Sequence, residues 1–216
     1  MNCELCAFNN PKATVTAVII QDNKLLLLKR NEDPFKGQWD LPGGYMHENE
    51  TTKEALKREL KEELGIENIN LTFMKVLPGI AQWKEKTFPI LSHFYLAEIT
   101  GELNLNRENS EFKFTELKNI NFKDIAFDSN QKIVAWLKEN FTFDLERLKE
   151  LVSQLDFSAT VNEQSLYKAM LDGFVSKIYD GDTLIGMGWI FPRQTLLRRQ
   201  AVVEDMIVDN AHRGKG

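Results

Sequence analysis

Cysteine and histidine are scarce in this 216-residue chain, with two and three respectively. Two cysteines cannot build the multi-bridge framework of a small secreted scaffold. They stand together as Cys3-Glu4-Leu5-Cys6, whereas a structural zinc takes four ligands. His47, His93 and His212 show no spacing that would complete such a site. The pair therefore reads as reduced thiols without metal; a homodimer that pairs two such motifs is the alternative. No apolar run approaches the roughly 20 residues that span a bilayer, which argues against a membrane partner. Met1-Asn2-Cys3-Glu4 has neither the basic nor the apolar region of a signal peptide, so the expected location is cytoplasmic. Positive charge is also short: 27 Lys and Arg against 32 Asp and Glu leave a net −5. Broad nucleic-acid binding needs a positive footprint and is not expected.

Hydrophobic content of 43% and charged content of 27% suit a globular chain of one large or two modest domains. Thr14 to Ile20 and Lys24 to Lys29 read as strands, continuous enough in apolar residues to be buried on both faces, with a turn at Gln21-Asp22-Asn23. The segment 31–37 reads as a loop. Thr51 with Glu54 three residues on forms a capping-box pattern and Gly65 a C-terminal stop, which predicts a helix over Thr52 to Leu64. Leu56, Leu60 and Leu64 form its apolar stripe; Glu59, Glu62 and Glu63 form an acidic stripe beside it. Carboxylates crowded in this way repel one another unless a cation sits among them, and hard divalent ions such as Mg²⁺ take oxygen ligands and pair with phosphates. Ile69 to Leu77 and Phe88 to Ile99 read as strands joined by a loop with Pro78, Gly79, Gln82 and Trp83; Ser129 to Asn140 reads as an amphipathic helix.

Gly44, Glu50, Arg58, Glu59, Leu60, Glu62, Glu63, Gly65 and Ile66 fill, without a gap, the nine specified positions of the Nudix box. The chain resembles the Nudix hydrolases. The resemblance implies an α/β/α sandwich with a mixed sheet and a nucleotide as small-molecule substrate. It also implies Mg²⁺ or Mn²⁺ on Glu59, Glu62 and Glu63, with the carbonyl of Gly43 assisting. Arg58 is expected to orient carboxylates by ion pairing, with Glu50 as a partner. A further ligand or the general base is expected from the loop before a late strand, with Glu108 the first choice and Glu111 the second. Arg30 is a substrate-phosphate candidate, and Trp83 either stacks on a nucleobase or covers the core. The implied reaction is hydrolysis of the pyrophosphate bond of a nucleoside diphosphate linked to another moiety, such as ADP-ribose. The alternatives are a nucleoside triphosphate pyrophosphatase that removes damaged nucleotides and a nucleotide-sensing module. Retention of every box carboxylate favours an enzyme over a sensor. The Cys3–Cys6 pair looks like half of the zinc ribbon of NADH pyrophosphatases. The Pro- and aromatic-rich segment that marks those enzymes after the box is absent, which disfavours that substrate.

The expected organisation is an N-terminal segment over 1–10, the Nudix domain over 11–140 and a second domain over 141–216. In the last, helices at 145–155 and 164–171 precede strands at 174–179, 183–191 and 201–208, with a hairpin turn at Asp180-Gly181-Asp182. Glu204-Asp205 before Met206-Ile207-Val208, followed by Arg213-Gly214-Lys215-Gly216, is similar to the GNAT superfamily of N-acetyltransferases. There such a loop cradles the pyrophosphate of acetyl-CoA at a helix N-terminus. Arg213, Gly214 and Gly216 match only part of that loop, so this portion reads as a truncated GNAT-like α/β domain. Acetyl-CoA is expected to bind only if the domain were complete.

Overall fold

The computed structural model describes residues 10–83, 86–194 and 199–214, without the side chains of Trp83, Gln194, Arg199 and Asp205. Cys3 and Cys6 lie outside this set, as do Lys215 and Gly216. The chain divides into two compact units, Met1–Glu139 and Asn140–Gly216.

In the first unit the strands are β1 (Lys12–Val18), β2 (Ile20–Gln21), β3 (Lys24–Arg30), β4 (Trp39–Asp40) and β5 (Gly43–Tyr45). Helix α1 (Thr52–Leu64) follows, then β6 (Asn68–Trp83), β7 (Lys86–Thr100), β8 (Asn109–Glu116) and helix α2 (Asp128–Phe141). One sheet runs β5-β1-β7-β6 and is mixed: β1 is parallel to β7, and the other pairings are antiparallel. In a second, antiparallel sheet, β3 pairs with β2, β4 and, along its whole length, β8. The chain leaves one sheet for the other at Ile19. The β2–β3 turn uses Asp22 and Asn23, both at positive φ, the residue types that tolerate a two-residue hairpin loop.

Helix α1 carries both halves of its capping box: the Glu54 N–H donates to the Thr51 hydroxyl, and the Thr51 N–H donates to the Glu54 carboxylate at 2.8 Å. Gly65 closes it at φ +69°, a conformation glycine adopts at no steric cost. Leu56, Leu60 and Leu64 are wholly buried in one cluster with Val15, Ala17, Leu26, Leu28 and Tyr95. Truncating any of these leucines to alanine removes about 2–5 kcal/mol. Buried leucines on one side of α1 thus fix its neighbouring acidic stripe over β1 and β5.

The expected loop around Pro78, Gly79, Gln82 and Trp83 is instead strand. Pairing continues from Pro78 with Leu91 to Trp83 with Lys86. Strand β6 is the edge of its sheet, so the N–H that Pro78 lacks is not needed there. Pro89 likewise lies one residue before Ile90, the first β7 residue paired with β1. At Gly79 a side chain would collide with Asp128 and Ser129, because the start of α2 is seated there. The Asp128 carboxylate accepts the Ile80 N–H at 2.8 Å and locks the contact.

The second unit holds α3 (Leu145–Leu155), α4 (Glu163–Asp172), β9 (Phe174–Asp180), β10 (Thr183–Gln194) and β11 (Arg199–Val208). Its antiparallel sheet runs β11-β10-β9. Asp209 just after β11 accepts from Arg147 and Gln154 of α3, which ties the strand end to that helix.

Candidate active site

Strands β1 and β5, the C-terminal half of α1 and the start of α2 enclose a cleft of about 380 Å³, within the range of small-molecule sites. Its walls bring together residues far apart in sequence. Arg30, Gly43, Gly44, Arg58, Glu59, Glu62, Glu63 and Glu108, all singled out from the sequence, line it.

The glycine pair is fixed by contact. Gly43 has φ +146°, and a β-carbon there would stand 2.1 Å from the Val15 carbonyl oxygen. Only glycine lets β5 pair with β1 at this point. At Gly44 a β-carbon would fall 2.5 Å from a carboxylate oxygen of Glu59, so that glycine makes room for the acid itself. The Gly43 N–H donates to Glu63 Oε2 at 2.8 Å, and Asn109 donates to Glu63 Oε1 at 3.3 Å. Burial pushes the Glu63 carboxyl up to about 8, and the charges of Glu59 and Asp40 add to the rise against those two hydrogen bonds. Glu59 is also raised, first by burial and then by Glu62 and Glu108, while Arg58 opposes the rise.

Arg58 organises the acidic face. It grips both Glu50 oxygens, at 2.7 and 3.0 Å, and donates to Glu59 at 2.8 Å, Glu62 at 3.3 Å and the Tyr45 carbonyl at 2.9 Å. That grip holds the Glu50 carboxyl down at about 2. Among the described residues no three Asp, Glu, His or Cys side chains already stand as a ligand group. The hydrogen bonds explain this: Arg58 draws Glu59 and Glu62, while Glu63 is turned to Gly43 and Asn109. The donors nevertheless suit a hard divalent ion. All are oxygens, and a cation beside Glu63 would offset the neighbouring charges that oppose its ionisation.

Other sequence-predicted residues fare differently. Glu108 lines the cleft, whereas Glu111 points to Lys29 at 3.2 Å. Arg30 reaches the cleft but is committed to protein partners, donating to Asp40 at 3.1 Å and to the Pro34 carbonyl at 2.8 Å. The Trp83 side chain lies outside the described residues. In the second unit Arg213 donates to the Val208 carbonyl at 2.8 Å and Gly214 sits at φ +71°, with Gly216 outside the described residues.

Three residues escaped the sequence reading. Asp40 is buried between Arg30, the Leu41 N–H and Asn130, and burial lifts its carboxyl to about 6 against the Arg30 charge. A lone acid between Trp39 and Leu41 in a strand was the available signal. Asn109 and Asn130 had none, since asparagines beside a loop or near a helix start carry no periodicity.

Residues 10–137 match the NUDIX domain. An ADP-ribose pyrophosphatase of Methanocaldococcus jannaschii is 37% identical over 128 residues, 58% of this chain and 72% of that relative. A nucleoside triphosphatase NudI of Enterobacter sp. is 45% identical over 65 residues, 29% of this chain and 45% of the relative. Among solved structures, the NUDIX domain of Shewanella oneidensis NrtR complexed with ADP ribose superposes with a TM-score of 0.52 at 23% identity. That match covers 65% of this chain and 95% of that one, and at this identity the likeness is one of fold. An uninterrupted box in sequence, its Gly44, Glu59, Glu62 and Glu63 gathered on one cleft, and a domain match over more than half the chain agree. The chain belongs to the Nudix family, as a pyrophosphatase that hydrolyses acid anhydrides.

Proposed function

We propose that this protein hydrolyses the pyrophosphate bond of a nucleoside diphosphate linked to another moiety, of the ADP-ribose type, with Mg²⁺ or Mn²⁺. The observation that carries the reading is the acidic face of α1 set against the Gly43–Gly44 backbone in a cleft of nucleotide size. Glu59, Glu62 and Glu63 would hold the ion, which supplies charge neutralisation for the pyrophosphate oxygens and orients a water. Arg58 keeps Glu59 and Glu62 in register with Glu50. Glu108, which lines the same cleft, would take the water's proton. The similarity to an ADP-ribose pyrophosphatase over 72% of that relative's length supports this substrate class over nucleoside triphosphates.

A panel of ADP-ribose, dinucleotides and nucleoside triphosphates, each with Mg²⁺, separates the readings by product. Release of AMP and ribose 5-phosphate from ADP-ribose is expected, with chelation by EDTA abolishing it and added Mg²⁺ restoring it. Release of pyrophosphate from triphosphates alone would replace this substrate class with the other, and no hydrolysis across the panel would defeat the enzyme reading.

For the second unit the proposal is a GNAT-like portion. Two helices followed by three antiparallel strands, with Arg213-Gly214 after the last, support it. In such a loop several converging backbone amides hold a pyrophosphate. Calorimetry with acetyl-CoA tests the likeness: saturable binding would support it, and no binding would leave Arg213-Gly214 without a phosphate-binding role.

A further inference from the structure

Five non-glycine residues adopt positive φ among the described residues. Asp22, Asn23 and Asn49 are of the type that tolerates it; Phe35, at +66°, and Phe127, at +57°, are not. A bulky residue held in this region is maintained by its surroundings, and such strain gathers where function requires it. The two phenylalanines come from segments some ninety positions apart, yet their rings meet edge to face with centroids 5.0 Å apart. The Arg30 guanidinium lies over the Phe127 ring at 5.0 Å and is itself fixed by Asp40 and the Pro34 carbonyl. Three segments thus converge to hold one ring.

Core packing does not account for the arrangement. Phe35 is 37% exposed, Phe127 is half-buried, and the Phe127 ring lines the same cleft as Glu59, Glu62 and Glu63. The ring and the acidic face belong to one site: Phe127 and Gly43, whose N–H holds Glu63, line the same cleft. An aromatic face accepts any flat heterocycle, and a cation fixed on that ring leaves it rigid at little entropic cost to an incoming base.

We propose that Phe127, held by Arg30 and flanked by Phe35, is the stacking wall for the substrate's nucleobase and so sets which nucleotides bind. The proposal rests on the reading of the cleft as a nucleotide pyrophosphatase site. It moves base recognition from the Trp83 segment to the turn that opens α2.

The test measures binding of AMP and of ribose 5-phosphate, which lacks only the base, to the full chain without divalent cation. Wild type is compared with Phe127→Asn and Phe127→Tyr. Asparagine keeps the left-handed backbone and removes the ring; tyrosine keeps the ring. AMP affinity should fall roughly tenfold or more in Phe127→Asn and recover to within about threefold in Phe127→Tyr, with ribose 5-phosphate unchanged throughout. Unchanged AMP affinity in Phe127→Asn, parallel loss of both ligands, or no AMP binding by wild type would each overturn the proposal. Hydrolysis separates it from the wider reading. A wild type that binds AMP through Phe127 but cleaves no pyrophosphate keeps this proposal and loses the other. Hydrolysis of ADP-ribose with an unaltered KM in Phe127→Asn keeps the other and loses this one.

Discussion

Glu63→Gln is expected to lower turnover by two to four orders of magnitude, about 10²–10⁴, while making the metal-free protein more stable at alkaline pH. Both effects come from the same burial. Glu63 is enclosed, accepts the Gly43 N–H, and shares its space with Glu59 and Asp40, so its carboxyl is pushed up to about 8 from an ordinary 4.5. A group that binds its proton more tightly folded than unfolded stabilises the fold fully below pH 4.5 and loses that contribution as pH rises through 8. The glutamine side chain does not titrate. It still accepts from Gly43, and the Asn109 amide can reverse to present its oxygen. The variant should therefore melt near wild type at pH 4.5 and several degrees above it at pH 8 without divalent cation. Added Mg²⁺ should raise the wild-type melting temperature and close the gap, because an ion bound only to the folded state stabilises it by mass action. Thermal melts at the two pH values, with and without Mg²⁺, check this together with the turnover. Equal Mg²⁺ shifts in both proteins, or unimpaired hydrolysis by the variant, would remove Glu63 from the metal face.

The adjacent glycines should respond to the same substitution in different currencies. Gly43→Ala places a methyl 2.1 Å from the Val15 carbonyl oxygen and 2.8 Å from the Thr16 Cα, both backbone atoms, at a φ of +146°. Neither can yield without parting β5 from β1, so a loss of about 3 kcal/mol or more is expected. Gly44→Ala instead meets the carboxylate of Glu59, the far end of a flexible side chain, at 2.5–2.8 Å. That acid can swing away, so the fold should lose far less. The displaced carboxylate leaves its place beside Arg58, and activity should fall about a hundredfold. Chemical denaturation and kcat on one preparation of each variant separate the cases. A Gly44→Ala protein as unstable as Gly43→Ala, or one fully active, would contradict this account of the pair.

Much of this was written locally. The capping box at Thr51 and Glu54, the stop at Gly65 and the leucine stripe at 56, 60 and 64 depend on neighbours within one or two turns, so periodicity exposes them. The box glutamates follow because they share that helix with the stripe that anchors it. The continuation of β6 through Pro78 to Trp83 was not legible: proline argues against a strand unless the strand lies at an edge, and edge position belongs to the sheet.

The sequence by itself determined the acidic helix, the glycine turn before it and the chemistry the two imply. Tertiary structure decided which loop glutamate faces the cleft, Glu108 rather than Glu111, because the register of β8 on β3 sets Glu111 opposite Lys29. It also decided that Asp40 and Asn130, ninety residues apart, share a hydrogen bond, and that Arg30 is bound to Asp40 and stacked on Phe127. Each of those relations joins groups whose separation along the chain is arbitrary. No local pattern encodes them, because their proximity is created only when β4 and the start of α2 are brought to the same cleft.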